Sequence, residues 1–255
     1  MPNADMKRFA PRDVLIAIAL LTRLPVKLAD EEFSRGALAA WAYPIAGLAA
    51  AFCAALVGSI ALWLGVPVNI AAIVVIAVQV VVTGAMHEDG LADVADGFWG
   101  GWTVERRLEI MKDSRIGTYG VLALGFSLLA RFVALSYLMT LGHLWGVLLV
   151  AAATSRVPMV AHMHWHDNAR GNGLSHSVGR PPKEIFGGAL IVGLGVAVLC
   201  APWASIMLFV VLALLTLGCS RIAMNKIGGQ TGDVLGATQQ ISEIAALIVM
   251  ASLAA

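Results

Sequence analysis

Seven stretches of this chain are apolar over about the length that a helix needs to cross a bilayer, and nothing else in the sequence constrains its fold as strongly. They are Ala37–Leu64, Val66–Met86, Tyr119–Leu141, Trp145–His164, Ile185–Ala201, Trp203–Cys219 and Val234–Ala254; a hydrocarbon core about 30 Å thick takes about 20 helical residues. Only 13% of the residues are charged, about half the share with which a soluble domain coats its surface, and mean hydropathy is +0.83. A lipid bilayer is therefore the expected solvent. The apolar run Val14–Leu24 is too short to cross, contains Arg23 and ends at Pro25. The expected fold is an all-α, polytopic membrane domain over residues 1–255, with about seven transmembrane helices and a short N-terminal interfacial or re-entrant helix.

Charge sorts the connections. Those at Gly65, Gly142–Leu144 and Pro202, and the tail Ser252–Ala255, carry no Lys or Arg. The others hold Arg35; Arg106, Arg107, Lys112 and Arg115; Arg170, Arg180 and Lys183; Arg221 and Lys226. Cytoplasmic loops collect Lys and Arg, so seven spans starting inside put every basic loop in the cytoplasm, with Lys7, Arg8 and Arg12, and the C-terminus outside. A formal net charge of +1 argues against nucleic acid as a partner, since a phosphate backbone asks for a basic patch. Cys53, Cys200 and Cys219 sit in apolar stretches without a CxxC pair, which fits small core residues. The N-terminal MPNADMKRFAPRDV mixes charges and lacks a small-residue cleavage site after its apolar run, unlike a cleaved signal peptide.

The second span runs into HEDGLADVADGFWGG, residues 87–101. On a helix, Asp89, Asp93 and Asp96 fall within roughly 60° of one another on one face, with Glu88 about 100° to the side. Like charges so spaced destabilise a helix, so a cation is expected between them; hard oxygen ligands suit magnesium or manganese. Glu88, Asp89, Asp93 and Asp96 are the candidate metal ligands, and one of the aspartates the candidate base. The plainer reading is a solvated acidic helix end; an ion-translocating role is the third, because acids at membrane depth mark ion pathways. His162 and His166 stand at i and i+4 beside His164, but no nearby acid completes a zinc motif.

Downstream, ERRLEIMKDSRIGTYG (105–120) alternates signs. Arg106, Arg107 and Glu109 read as a surface helix with local ion pairs. Lys112, Asp113 and Arg115 end just before Gly117, where a phosphate meets both cation and backbone N–H. Arg131 and Arg156 lie well inside apolar spans, where a charge costs at least about 2.5 kcal/mol; each faces either a substrate anion or a buried acid. ARGNGLSHSVGRPP (169–182) and NKIGGQTGDVLGATQQISE (225–243) complete the polar set. In the second, Thr231 and Asp233 either hold a phosphate or cap the last helix. No GxxxxGK[ST] occurs, so ATP hydrolysis is not indicated. The expected active site joins loops 87–118, 165–184 and 220–233.

HEDGLADVADGFWGG followed by RRLEIMKDSRIGTYG closely resembles the signature of the cobalamin synthase (adenosylcobinamide-GDP ribazoletransferase) family. TRLPV (22–26), YPIAGL (43–48) and GGQTGDVLGA (228–237) resemble other stretches of it in the same order. ARGNGLSH departs from the simpler turn of that family. The resemblance implies a magnesium enzyme of the prokaryotic cytoplasmic membrane, acting late in cobalamin assembly. The ribose 5′ oxygen of α-ribazole, or of its 5′-phosphate, would attack the cobinamide-linked phosphorus of adenosylcobinamide-GDP, releasing GMP and leaving adenosylcobalamin or its 5′-phosphate. Lys112 and Arg115, with Arg156 or Arg131, would hold the diphosphate. Two other classes compete. A CDP-alcohol-type phosphotransferase would show DGxxAR where this chain has DGLADVADG; an ion-coupled transporter would place its acids near mid-membrane in an inverted repeat. The oligomeric state is open, a homo-oligomer included.

Overall fold

The computed structural model describes residues 7–254; the N-terminal stretch weighed as a leader and the last residue of the tail fall partly outside them. The protein is 78% helical, with no strand among the described residues. In chain order the elements are α1 (Arg12–Leu21), a 3₁₀ segment (Asp30–Ala42), α2 (Tyr43–Trp63), α3 (Val68–Thr83), α4 (Met86–Gly100), α5 (Val104–Ile110), α6 (Thr118–Thr140), α7 (Leu144–Thr154), α8 (Val157–Trp165), α9 (Leu174–Val178), α10 (Lys183–Cys200), α11 (Ser205–Ile227) and α12 (Gly232–Leu253). Six helices or helix pairs among the described residues are long and apolar enough to cross on their own, and α3 with α4, bent by 88°, passes the same test only as a pair. The all-α, polytopic expectation holds.

Four boundaries differ from the sequence reading, each for a local reason. The first span becomes fully α-helical only at Tyr43, because Gly36, at φ 46°, kinks the chain before it. The second ends at Thr83: Gly84 (φ 66°) and Ala85 (φ 57°) both turn left-handed and set α4 at 88° to α3. Ala85 is the one non-glycine residue with positive φ among those described, a strained conformation that the packing of α4 must hold. The span Trp145–His164 is two helices, since Pro158 supplies no N–H to the turn before it and Ser155–Arg156 fall between α7 and α8. Finally, α11 continues to Ile227 and stops at left-handed Gly228 (φ 71°), a glycine C-cap. The loop expected over residues 220–233 thus shrinks to four residues.

Burial decides which helices form the interior. The α7–α8 crossing and α12 are 83% and 72% buried, against 22–39% for the other single spans; those two stand at the centre and the rest face lipid. α2 packs on α7 and α3 with Gly47, Ala50, Ala51, Ala54, Ala55 and Gly58 all buried, the small-residue packing by which helices approach closely in lipid. A Cβ at Gly47 would overlap Ala152 O and lie 2.8 Å from Arg156 Cδ. Gly47→Ala is therefore expected to cost about 1–3 kcal/mol, whereas Gly125→Ala, with open space around it, should be neutral or slightly stabilising; thermal unfolding in detergent compares them. α1 packs on the same end through Ile16, Ala17 and Leu21. Its fully buried Asp13 accepts from Arg35 (Nη2, 3.0 Å), Trp41 (Nε1, 2.8 Å) and the Ala10 N–H (2.8 Å), which fixes the N-terminal helix to the 3₁₀ segment.

Candidate active site

The acidic helix crosses the start of α12 at glycines. A Cβ on Gly90 would stand 2.7 Å from Asp233 O, and one on Gly236 would stand 3.2 Å from His87 Cα. With no side chain at either place the helices touch, and Asp89 and Asp93 come to lie beside Asp233. α4 itself lies at 88° to α3. Its second half emerges where α6 and α12 begin, at the end of the bundle that carries the charged loops.

Each carboxylate of the acidic segment has its own environment. Asp96 Oδ2 accepts from Gly117 N (2.7 Å) and its Oδ1 from Gly120 N (2.9 Å). It caps α6 from another helix, satisfying two donors left free at a helix start. A Cβ at Gly117 would sit 2.5 Å from Asp96 Oδ1, and one at Gly120 would overlap Oδ2; that is why the segment after Arg115 reads GTYG. Asp89 is exposed and Asp93 half-buried. Burial first, then the charges of Asp233 and Asp89, push the Asp93 carboxyl up to about 7, against the pull of Arg170. Its folded value thus lies above its unfolded one, so between about pH 4 and 7 the unfolded state has shed a proton that the folded state keeps, and stability falls as pH rises through that window. In metal-free buffer the melting temperature should drop over that range, and Asp93→Asn should flatten the profile.

Glu88, grouped with the aspartates by spacing, turns instead into the bundle. Its Oε1 accepts from Arg131 Nη1 (2.9 Å) and Gln240 Nε2 (3.1 Å). Arg131 Nη2 also meets Glu243 Oε1 at 3.1 Å and Gln79 Oε1 at 3.2 Å. Arg156 Nη1 donates to Ala152 O (2.6 Å) and lies 4.0 Å from Glu243 Oε2. Two arginines and two glutamates so balance inside the helices, around a cavity of about 10 Å³, room for about one water. Arg131 and Arg156, read as facing either a substrate anion or a buried acid, are paired with buried acids. Glu243 and Gln79, which close this network, were not singled out in the sequence; an unexplained Glu in the middle of the last span was the available signal.

The cations after α4 are spent locally or exposed. Arg115 folds back on Asp113 (2.7 Å) and holds that exposed carboxyl down at about 2; Lys112 beside it is exposed. Lys226 Nζ donates to Phe98 O (2.9 Å) and lies over the Trp99 ring, holding the C-terminal end of α4. A cation the sequence reading left without a role stands at the aspartates instead: Arg170 Nη2 is 2.6 Å from Asp233 Oδ2. Thr231, buried, caps α12 by accepting from Val234 N (3.3 Å). His162 and His166 lie with ring centroids 5.9 Å apart, edge to face, and His164 Nδ1 bonds Pro181 O (2.8 Å).

Among the described residues, no three His, Cys, Asp or Glu side chains converge into a ready-made metal cage. Magnesium needs none, because it commonly takes one or two carboxylates plus substrate phosphates and keeps its waters. Asp89, Asp93 and Asp233 fit that chemistry as hard oxygens crowded together, and burial, then their mutual repulsion, raises the carboxyls of Asp93 and Asp233. Asp96 has both oxygens committed to α6, and Glu88 has one committed to Arg131 and Gln240 inside the bundle.

The family model described as cobalamin-5-phosphate synthase matches residues 13–251. An adenosylcobinamide-GDP ribazoletransferase of Bradyrhizobium diazoefficiens is 42% identical over 258 residues, 99% of this chain and 98% of its own. One from Mesorhizobium japonicum is 42% identical over 255 residues, with 98% and 96% covered; one from a Sinorhizobium species is 44% identical over 250 residues, with 94% and 95% covered. No solved structure matches. A match that runs from α1 almost to the end of α12, through the acidic helix and both polar turns, shows that the chain belongs to the cobalamin-5-phosphate synthase family.

Proposed function

We propose that this protein transfers the cobinamide-phosphate moiety of adenosylcobinamide-GDP to α-ribazole or its 5′-phosphate, releasing GMP and forming adenosylcobalamin or its 5′-phosphate. The observation that carries the reading is the meeting of Asp89, Asp93, Asp233 and Arg170 at one end of the bundle, in a chain of this family. A product named cobalamin-5-phosphate already carries a phosphate on its 5′ oxygen. The attacking hydroxyl is then another one on the ribose, which corrects the 5′ attack expected from the resemblance.

Magnesium held by Asp89 and Asp93, with Asp233 beside them, would neutralise charge developing on the diphosphate. The chain's own residues do the rest. Asp96 anchors the start of α6 against α4, so the two aspartates one and two turns earlier keep their aim. An aspartate of the cluster takes the hydroxyl proton as oxygen bonds to the cobinamide-linked phosphorus, and the bond from that phosphorus to GMP breaks. Loose transition states of this kind depend mostly on positioning and charge. Lys112, exposed on the turn before α6, attracts the anionic substrate over long range, while Arg115 stays paired with Asp113. Since Lys and Arg collect on cytoplasmic loops, we place the charged end in the cytoplasm and the protein in the prokaryotic cytoplasmic membrane.

Purified protein in lipid vesicles, supplied with adenosylcobinamide-GDP, α-ribazole and magnesium, is expected to release one GMP per cobalamin formed, and none with excess chelator. Wild-type protein that makes no GMP under these conditions would overturn the reading.

A further inference from the structure

Two glycine-rich turns remote in sequence are joined beside the aspartates. Ala169 N donates to Gln230 O (2.9 Å) and Gln230 N to Asp167 O (3.0 Å), a single parallel bridge between Asn168 and Gln230. Side chains lock it. Asn168 Oδ1 accepts from the Arg170 and Gly171 N–H groups (both 2.9 Å), and Asn168 Nδ2 donates to Ser175 Oγ (3.1 Å). Ser175 Oγ in turn donates to Gln230 Oε1 (2.6 Å), with Gln230 only 3% exposed. A Cβ at Gly229 would stand 2.5 Å from Asp167 O, so the turn needs glycine to close. This frame serves one side chain. Arg170 is held over the start of α12, its side chain 12% exposed; Nη2 meets Asp233 as an ion pair, and both Nε and Nη2 are buried without a hydrogen-bond partner.

A guanidinium has five donors in a planar fork suited to phosphate. Here one nitrogen rests on Asp233 while Nε stays unused, although the surroundings could have been built to satisfy it. Resting on the proposed ribazole transfer, we propose that Arg170 is a substrate-contacting residue that leaves Asp233 for the diphosphate of the corrinoid nucleotide when that substrate enters. The pair with Asp233 keeps the guanidinium aimed at the site beforehand and limits aspartate repulsion while the site is empty of anion. The bridge to Gln230 holds the turn of Arg170 beside the start of α12, so the exchange asks only for a side-chain rotation.

Kinetics, equilibrium binding of adenosylcobinamide-GDP and melting temperature in vesicles test this with wild type, Arg170→Ala, Arg170→Lys, Asp233→Asn and the Arg170→Ala/Asp233→Asn double variant. Arg170→Ala is expected to lower kcat/KM for adenosylcobinamide-GDP about 100-fold, weaken its binding and leave the KM for α-ribazole unchanged. Free guanidinium should return about tenfold of that loss. Arg170→Lys keeps the charge and the fold but loses the fork, and should cost about tenfold; it carries the test if the alanine variant does not fold. The double variant should be slower than Asp233→Asn alone. A purely structural pair predicts no further loss, so a double variant equal to Asp233→Asn, or an Arg170→Ala protein with wild-type kcat/KM, would overturn the inference. Either result in an active wild type leaves the ribazole-transfer reading standing, whereas a wild type that releases no GMP removes both.

Discussion

Asp93→Asn is expected to lower the rate of GMP release at least about 10³-fold while melting at the wild-type temperature or above it. A metal at a transferring phosphoryl group contributes several kcal/mol of transition-state stabilisation, and each 1.36 kcal/mol is tenfold in rate. Asparagine keeps the volume but donates no anionic oxygen to the ion. It also removes a half-buried charge crowded by Asp89, Asp233 and Asp96, so the site loses activity without losing stability, as strained functional sites do. Asp89→Asn should behave alike, whereas Asp96→Asn should also lower the melting temperature, because one oxygen accepting from Gly117 or Gly120 becomes a donor. Full activity in Asp93→Asn would refute the assignment of that carboxylate.

The second large effect is on stability. Arg131→Met leaves Glu88 and Glu243 in the bundle without their shared cation, and removing one partner of a buried ion pair costs about 3–5 kcal/mol. Arg106→Met, which breaks an exposed pair with Glu109, should cost under about 1 kcal/mol. The double change Arg131→Met and Glu88→Gln should regain most of the loss, because Glu243 keeps Arg156 as its partner and no uncompensated charge stays buried. Equilibrium unfolding in mixed detergent micelles measures all three; an Arg131→Met protein as stable as wild type would show that the network carries no weight.

What could be read from the sequence follows range. Span number and the helical acidic segment are matters of composition over about 20 residues, and they emerged with most ends within a few residues. The 88° turn at Gly84–Ala85 did not, because Ala85 adopts a conformation that no local preference of alanine favours; contacts of α4 with α12 impose it. Glu88 illustrates the same limit within the site. Spacing on α4 put it near the aspartates, but its partner Arg131 lies 43 residues on, and Glu243 farther still. Periodicity places a residue on a face of its own helix and is silent about which helix covers that face. Asp96 was legible as a carboxylate on the right face, and its role as the cap of α6 was not, since that depends on where Gly117 and Gly120 arrive. Arg170 and Asp233 each sat in a noticed glycine-rich stretch, and only the bridge between the two turns brings them together.

Manganese binding followed by its electron paramagnetic resonance signal, in vesicles holding the protein and a non-reacting diphosphate nucleotide, tests the central claim most directly. Wild type should take up about one ion per chain with magnesium competing, and the Asp89→Asn/Asp93→Asn double variant should take up none at the same concentrations. A double variant that binds manganese as wild type does would contradict the account, because the ion would then lie somewhere other than on the acidic helix.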